Sequence, residues 1–347
     1  MRHFVFALAV LVLALSGSPA QAYEPESGAW WNPAESGSGF NLELQDDMLA
    51  VTFYGGLPNG QAKWYMAVGR LDGNAYFEAD LLGYTNVQAM GQPWTGRPTL
   101  EPSYGRLKIV FDPQDNRRAT LTWPNGRSMP IQRYEFYFQR PEDTGGVTAS
   151  TLRMLGEWQF SIDLSESDAV YPYSGDVLVL DNHYRDGGQW YYEGCRPDDA
   201  QIGGCSTYAL NNHDAVGYFE APTGLHVTLV KDGIYDGRMW YGLYVMRMGT
   251  NDGSGEFTLY PQGGNPDAWD AYPTRSFRSA SRTFVQEGVG PAKSGKPGRL
   301  SGLAAQLGAL GVSMEPGVTK STLRSTRFDR ISLTPLIHTL EARLESR

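Results

Sequence analysis

The sequence predicts an all-β chain: two tandem antiparallel β-barrel-like domains followed by a short, partly helical C-terminal tail. Three observations carry this. The 347 residues include 41 Gly, 21 Pro and 12% aromatics, the profile of many short strands joined by tight turns. A landmark tripeptide recurs, Gly28-Ala29-Trp30 and then Gly156-Glu157-Trp158, as in a repeated unit. Between these openings, runs alternate polar and apolar residues with a period of two, and no helical period of useful length appears. With 41% hydrophobic and 19% charged residues, the chain buries a real core and is not disordered as a whole. Its net charge of −9 argues against nucleic-acid binding.

Residues 1–22 read as an export signal. Arg2 and His3 precede an unbroken apolar stretch from Phe4 to Leu15, and Ala20-Gln21-Ala22 supplies a small-x-small cleavage site. No later run is long or apolar enough for a transmembrane helix, so the expected address is periplasmic or secreted. The first domain is assigned to residues 23–140. Leu49 to Tyr54, a turn at Leu57-Pro58-Asn59-Gly60, and a run containing Trp64-Tyr65 form its hairpin. Strand-like runs follow at Gly105–Phe111 and Ala119–Trp123, and Ile131 to Phe138 closes the unit. The second domain, residues 150–286, offers a similar series. Asp176 to Leu180 leads through Arg185-Asp186-Gly187-Gly188 to Trp190-Tyr191, then to Gly224–Val230, Met239–Met246 and a closing strand near Arg275 to Phe284. The stretch from Gly249 to Tyr272, rich in Gly, Pro and Asp, reads as an extra segment.

Residues 287–347 form a basic linker and tail, with nine Lys or Arg against four acids from Gly288 onward. Ser301 to Leu310 is a possible short helix. Thr334-Pro335 is a helix start, with a capping hydroxyl and Pro in the first turn. Leu333, Leu336, Ile337, Leu340 and Leu344 then mark one apolar face. The tail is expected to dock on a domain, with a partner or envelope surface as the alternative. Cys195 and Cys205 flank a polar, turn-rich stretch, and two cysteines so close in an exported chain are expected to pair.

The segment Gly28-Ala29-Trp30-Trp31-Asn32-Pro33-Ala34-Glu35-Ser36-Gly37-Ser38-Gly39-Phe40 resembles the WWNPxESGxG repeat of secreted bacterial proteins of unassigned activity. The resemblance covers most of residues 27–138. The second copy lacks the Asn-Pro-Ala-Glu-Ser-Gly part, reading Gln159-Phe160-Ser161-Ile162 after Trp158. A looser resemblance is to the calycins, the lipocalin and avidin barrels. It implies that each opening Trp closes a barrel end beneath a basic side chain from the last strand: Trp30 with Arg133, and Trp158 with Arg275 or Arg278.

Catalytic signatures are scarce. There is no G-x-S-x-G elbow and no H-E-x-x-H helix. Gly290 to Lys296 nearly matches a phosphate loop, but Pro297 stands where Ser or Thr is required. His183, His213, His226 and His338 show no metal-ligand spacing, so neither a metal nor a cofactor is expected. Glu78 and Asp80, at i and i+2 on a strand, would share a face as glycosidase carboxylates do. The expectation is a non-enzymatic exported binding protein, taking a small apolar or amphipathic ligand or an envelope component in or on its barrels. A carbohydrate-binding accessory module, a glycan hydrolase and a purely structural envelope protein are the alternatives. The candidate ligand-binding residues are Trp31, Asn32, Glu35, Ser36, Tyr54 and Trp64: amide, carboxylate and hydroxyl groups beside aromatic walls. Hollow barrels would favour a cavity ligand, and filled ones a surface.

Overall fold

The computed structural model describes residues 24–94, 96–113, 115–136, 146–196, 205, 213–287, 307–308 and 333–346. The export signal and most of the segment 301–310 lie outside the described residues. The chain divides into two compact units, Met1–Tyr134 and Glu135–Arg347. Each contains a closed antiparallel barrel of eight strands, as the alternating runs predict.

In the first unit the strands are β1 (Gly28–Trp31), β2 (Gly39–Gln45), β3 (Met48–Gly56), β4 (Ala62–Asp72), β5 (Tyr76–Asp80), β6 (Leu82–Thr85), β7 (Thr99–Leu100), β8 (Arg106–Asp112), β9 (Asp115–Thr122) and β10 (Ser128–Arg133). The ring runs β1-β2-β3-β4-β5-β8-β9-β10 and returns to β1. β5 and β6 act as one strand interrupted at Leu81: β4 pairs with β5 through Leu71 and Asp72, and with β6 through Tyr65 and Met66. Trp30, Phe40, Phe53 and Tyr65 lie in one cross-strand row, and Trp30 meets Phe111 edge-on at 5.8 Å. That contact joins strands from distant parts of the ring, so this row faces inward. Outward positions include Asn41, Glu43, Thr52, Lys108, Thr120 and Gln132, the apolar-in, polar-out alternation of a barrel facing water. A membrane-spanning barrel reverses that alternation.

In the second unit, β11 (Gly156–Asp163), β12 (Tyr173–Asp186), β13 (Gln189–Cys195), β14 (Ala215–Glu220), β15 (Leu225–Tyr235), β16 (Arg238–Met248), β17 (Asp252–Pro261) and β18 (Tyr272–Ser281) follow one another round the ring, and β18 pairs with β11. Two short helices that no period announced accompany the barrel, α1 (Ala149–Met154) and α2 (Arg282–Glu287). Phe284 is therefore helical and not part of the closing strand. The segment read as extra holds β17, a full barrel strand.

This shifts the correspondence between the copies. In ring order, the Trp64-Tyr65 hairpin joins the third and fourth strands of its barrel, whereas the Trp190-Tyr191 hairpin joins the second and third. The rings also face opposite ways. Tyr65 points inward and Trp64 outward, but Tyr191 pairs outward with Tyr184 while Tyr192 enters the core. The copies agree at their ends, in the first strand and the last, and run out of step between.

The helix at the Thr334-Pro335 start is α3 (Thr334–Glu345), packed on β14 and β15. Thr334 is its first helical residue and the cap position is Leu333, so the expected hydroxyl cap is not formed. Leu333, Ile337, Leu340 and Leu344 are buried in the core cluster of the second barrel, with Leu336 packed at its margin. Tyr260 Oη donates to Glu341 Oε1 at 2.9 Å, and Lys231 Nζ donates to the main-chain carbonyl of Leu344 at 2.7 Å. The Arg343 guanidinium lies 3.9 Å from the Tyr191 ring centre and pairs with Asp186 at 2.6 Å.

Candidate functional site

The two barrel closures follow one design. Trp30 Nε1 donates to Glu26 O and Trp158 Nε1 to Met154 O, both at 2.8 Å and both four residues back. Two residues before each indole stands a glycine with positive φ, Gly28 at +123° and Gly156 at +137°. An arginine from the last strand fills the space where a Cβ would project. Arg133 Nη1 donates to Ala29 O and Tyr134 O at 2.8 Å, and Arg133 also pairs with Glu26. Arg278 lies 4.3 Å from the Trp158 ring centre and donates to Arg153 O, Leu155 O and Thr250 O. The arginine on Trp158 is thus Arg278. Arg275 is exposed, three residues earlier on β18 and opposite Ser161.

Both barrels are packed with side chains. In the second, Trp158, Phe160, Tyr192, Tyr244 and Phe257 are buried across the interior, with Phe160 and Tyr244 centred 4.5 Å apart. Beside Tyr244 lies an ionic cluster. Arg196 makes two bonds to Asp176, at 2.9 and 3.1 Å, and one to Asp232 at 2.7 Å, while Tyr244 Oη donates to Asp176 at 2.5 Å. A bulge between Lys231 and Gly233 adds the residue that brings Asp232 to this cluster. Burial alone would lower the Arg196 pKa, and the two aspartates more than reverse it. Burial pushes the nearby Asp214 up to about 6, against the pull of Arg196. None of this network was among the sequence candidates, because only ring topology and the bulge assemble it.

The signature loop after β1 binds itself. Asn32 is buried; its side-chain oxygen accepts from Ala34 N at 3.1 Å and its amide donates to Glu35 Oε1 at 3.2 Å. Glu35 N donates to Asn32 O at 3.0 Å, and Arg127 from the β9–β10 turn reaches Glu35 at 2.5 Å. The structure therefore brings Asn32 and Glu35 together with Arg127, leaving Ser36 exposed. Trp31 meets Tyr134 edge-on at 5.0 Å.

Tyr54 and Trp64 belong to a different grouping. They are directly opposite on β3 and β4, facing outward, and Trp64 stacks on Tyr84 of β6 at 5.5 Å and 27°. Tyr54 is 54% and Trp64 38% exposed. Alongside Tyr84, where β4 forks between β5 and β6, lies a groove of about 380 Å³. Met66, Val68, Leu82 and Tyr84 give it an apolar floor; Glu78, Asp80 and Arg106 give it a charged rim. Tyr76 Oη and then Arg106 hold the Glu78 carboxyl below its ordinary range, with Lys108 adding at 3.6 Å. Glu78 and Asp80 do share a face, and Arg106 lies within ion-pair distance of both.

Cys195 and Cys205 form the expected disulfide. His213 Nε2 lies 2.9 Å from Asp181 Oδ1, and both are beside Cys205 Sγ.

No known family and no curated protein matches the chain. Among solved structures, one from Bacteroides fragilis, provisionally described as an outer membrane protein, is similar over 75% of this chain and 98% of that one, at 9% identity and a TM-score of 0.20. That likeness is too slight to carry an argument. Among the described residues, no helix is long and apolar enough to cross a membrane.

Proposed function

We propose that this is an exported, non-enzymatic binding protein that engages a saccharide chain on the outer wall of its first barrel. The observation that carries the reading is the Tyr54–Trp64–Tyr84 row, exposed at Tyr54 and Trp64 and half-buried at Tyr84, running into a groove rimmed by Glu78, Asp80 and Arg106. Sugar rings have apolar faces that stack on aromatics and hydroxyls that pair with carboxylate and guanidinium, which this combination offers side by side. The packed interiors favour the wall over a cavity ligand. Tyr54 and Trp64 are assigned to the ligand directly, while Asn32 and Glu35 hold the separate signature loop together, Ser36 is exposed on it and Trp31 packs on Tyr134. Export rests on the apolar stretch and small-x-small site of residues 1–22. The reading also takes the two barrels as separately folding domains.

A glycan array followed by calorimetry on the best binder tests this. Trp64→Ala and Tyr84→Ala should each weaken binding at least about tenfold, as loss of a stacking ring does, with unchanged far-UV spectra. Full binding by both variants, or no saccharide binding by the parent protein, would overturn the reading.

A further inference from the structure

We infer that the Cys195–Cys205 disulfide is the oxidised, metal-free state of a zinc site completed by Asp181 and His213. An Asp181 oxygen, a His213 ring nitrogen and Cys205 Sγ already lie within 4.8 Å of one another, and Cys195 is tied to Cys205. Cys205, Cys195 and Asp181 are buried, at 0%, 5% and 7% exposure, so a bound ion would be sheltered from water. A bulge at Asp181 in β12, between Leu180 and Asn182, places its carboxylate among these groups.

The dimensions agree. Asp181 Oδ1 and His213 Nε2 are 2.9 Å apart. Oxygen and nitrogen ligands on tetrahedral zinc are separated by about 3.3 Å, given metal–ligand bonds of about 2.0–2.1 Å. The ion therefore takes the place between carboxylate and imidazole with a few tenths of an ångström of adjustment. The cysteine Cα atoms are 5.8 Å apart, and the sulfurs must part to about 3.8 Å to bind at about 2.3 Å each. Two thiolates, an imidazole and a carboxylate form a closed four-ligand set, the kind that holds zinc structurally.

The chemistry is balanced by a dithiol reductant. Two electrons from the dithiol break the S–S bond, the dithiol becomes a cyclic disulfide, and its two protons pass to Cys195 and Cys205. Zinc then displaces both thiol protons to solvent. A disulfide oxidant reverses the sequence: it takes two electrons from the Cys195 and Cys205 thiolates and two protons from solvent to become a dithiol, the S–S bond re-forms, and zinc is released.

The test uses the full chain, reduced with dithiol, freed of excess reductant without air and titrated with zinc against a chromophoric chelator. One zinc per reduced chain and none per oxidised chain are expected, with His213→Gln and Asp181→Asn each weakening uptake at least tenfold. Cobalt in place of zinc should give the visible bands of a tetrahedral thiolate site. These two variants retain the disulfide, so their folding is checked in the oxidised state before reduction. Absence of stoichiometric uptake, equal affinity in both variants, or uptake by the oxidised protein overturns the inference. So does a second barrel that unfolds on reduction and is not restored by zinc.

Discussion

Replacing Gly156 with alanine probes the closure of the second barrel directly. The new Cβ would lie 2.4 Å from Arg278 Nη1 and 2.6 Å from Ala280 O, on a backbone at φ +137°. Holding a non-glycine residue there costs about 1–3 kcal/mol. The arginine must also withdraw from Arg153 O, Leu155 O or Thr250 O, and a charged hydrogen bond is worth about 1.5–3 kcal/mol. Some of its stacking on Trp158 goes as well, about 0.5–2 kcal/mol. The terms reach about 3–8 kcal/mol together, a fall in melting temperature of at least about 6 °C for a unit of this size. Gly237 is the control. It sits in the β15–β16 turn at φ +71° with nothing within 4 Å of its would-be Cβ, so alanine there meets backbone strain alone, about 1–2 kcal/mol. Scanning calorimetry of both variants separates space from strain. If Gly156→Ala lowers the melting temperature no more than Gly237→Ala, the arginine does not need that space and the closure argument fails.

Other outcomes follow from the same geometry. Asp214 has a folded pKa of about 6, above its unfolded value, so its contribution to stability is present below about pH 4 and lost as pH rises through 6. Asp214→Asn should flatten the pH dependence of the urea midpoint between pH 4 and 7 relative to the parent, and an unchanged slope would refute the assignment. Intact mass should rise by two hydrogens on reduction, and removing the disulfide should cost about 3 kcal/mol by loop entropy; two free thiols in native protein would refute the pairing. Arg343→Ala should loosen α3 by about 1–2 kcal/mol, read as faster hydrogen exchange across 334–345, with unaltered exchange as the contrary result. A fragment of residues 135–347 should melt cooperatively. One of residues 150–286 should bind a hydrophobic dye and aggregate, because Tyr241 and Tyr260 lose the helix that they bond.

The ends of each barrel were legible in the sequence because closure demands unusual residues: a glycine two places before a tryptophan, and an arginine on the last strand. The middle was harder. β17 hides in a Gly-rich stretch that reads as loop, yet a Cβ at Gly255 would lie 2.1 Å from Val245 O, so the strand needs glycine to approach β16 so closely. Trp64-Tyr65 and Trp190-Tyr191 look equivalent, but identical dipeptides carry no record of which strand of the ring they occupy or which ring faces in. Tyr54 and Trp64 were identifiable as candidates from residue type; their partner Tyr84 and the groove at the forked strand were not, since Leu81 breaks β5 from β6 without a compositional mark. His213 and Asp181 stand too far apart in sequence for their meeting beside the cysteines to show.

The position of α3 has a consequence for how the second unit is made. Every strand of its barrel is complete by Ser281, yet the outer aromatic wall stays uncovered until Thr334–Glu345 arrives well downstream. During vectorial synthesis the strands of the ring therefore precede the helix that covers them, and an apolar flank is exposed in the interval. Its lifetime in that condition is set by how quickly the intervening linker is delivered, since helix docking itself is fast by comparison. Without Thr334–Glu345 the second unit is expected to expose the apolar wall on which Ile337, Leu340 and Leu344 now pack.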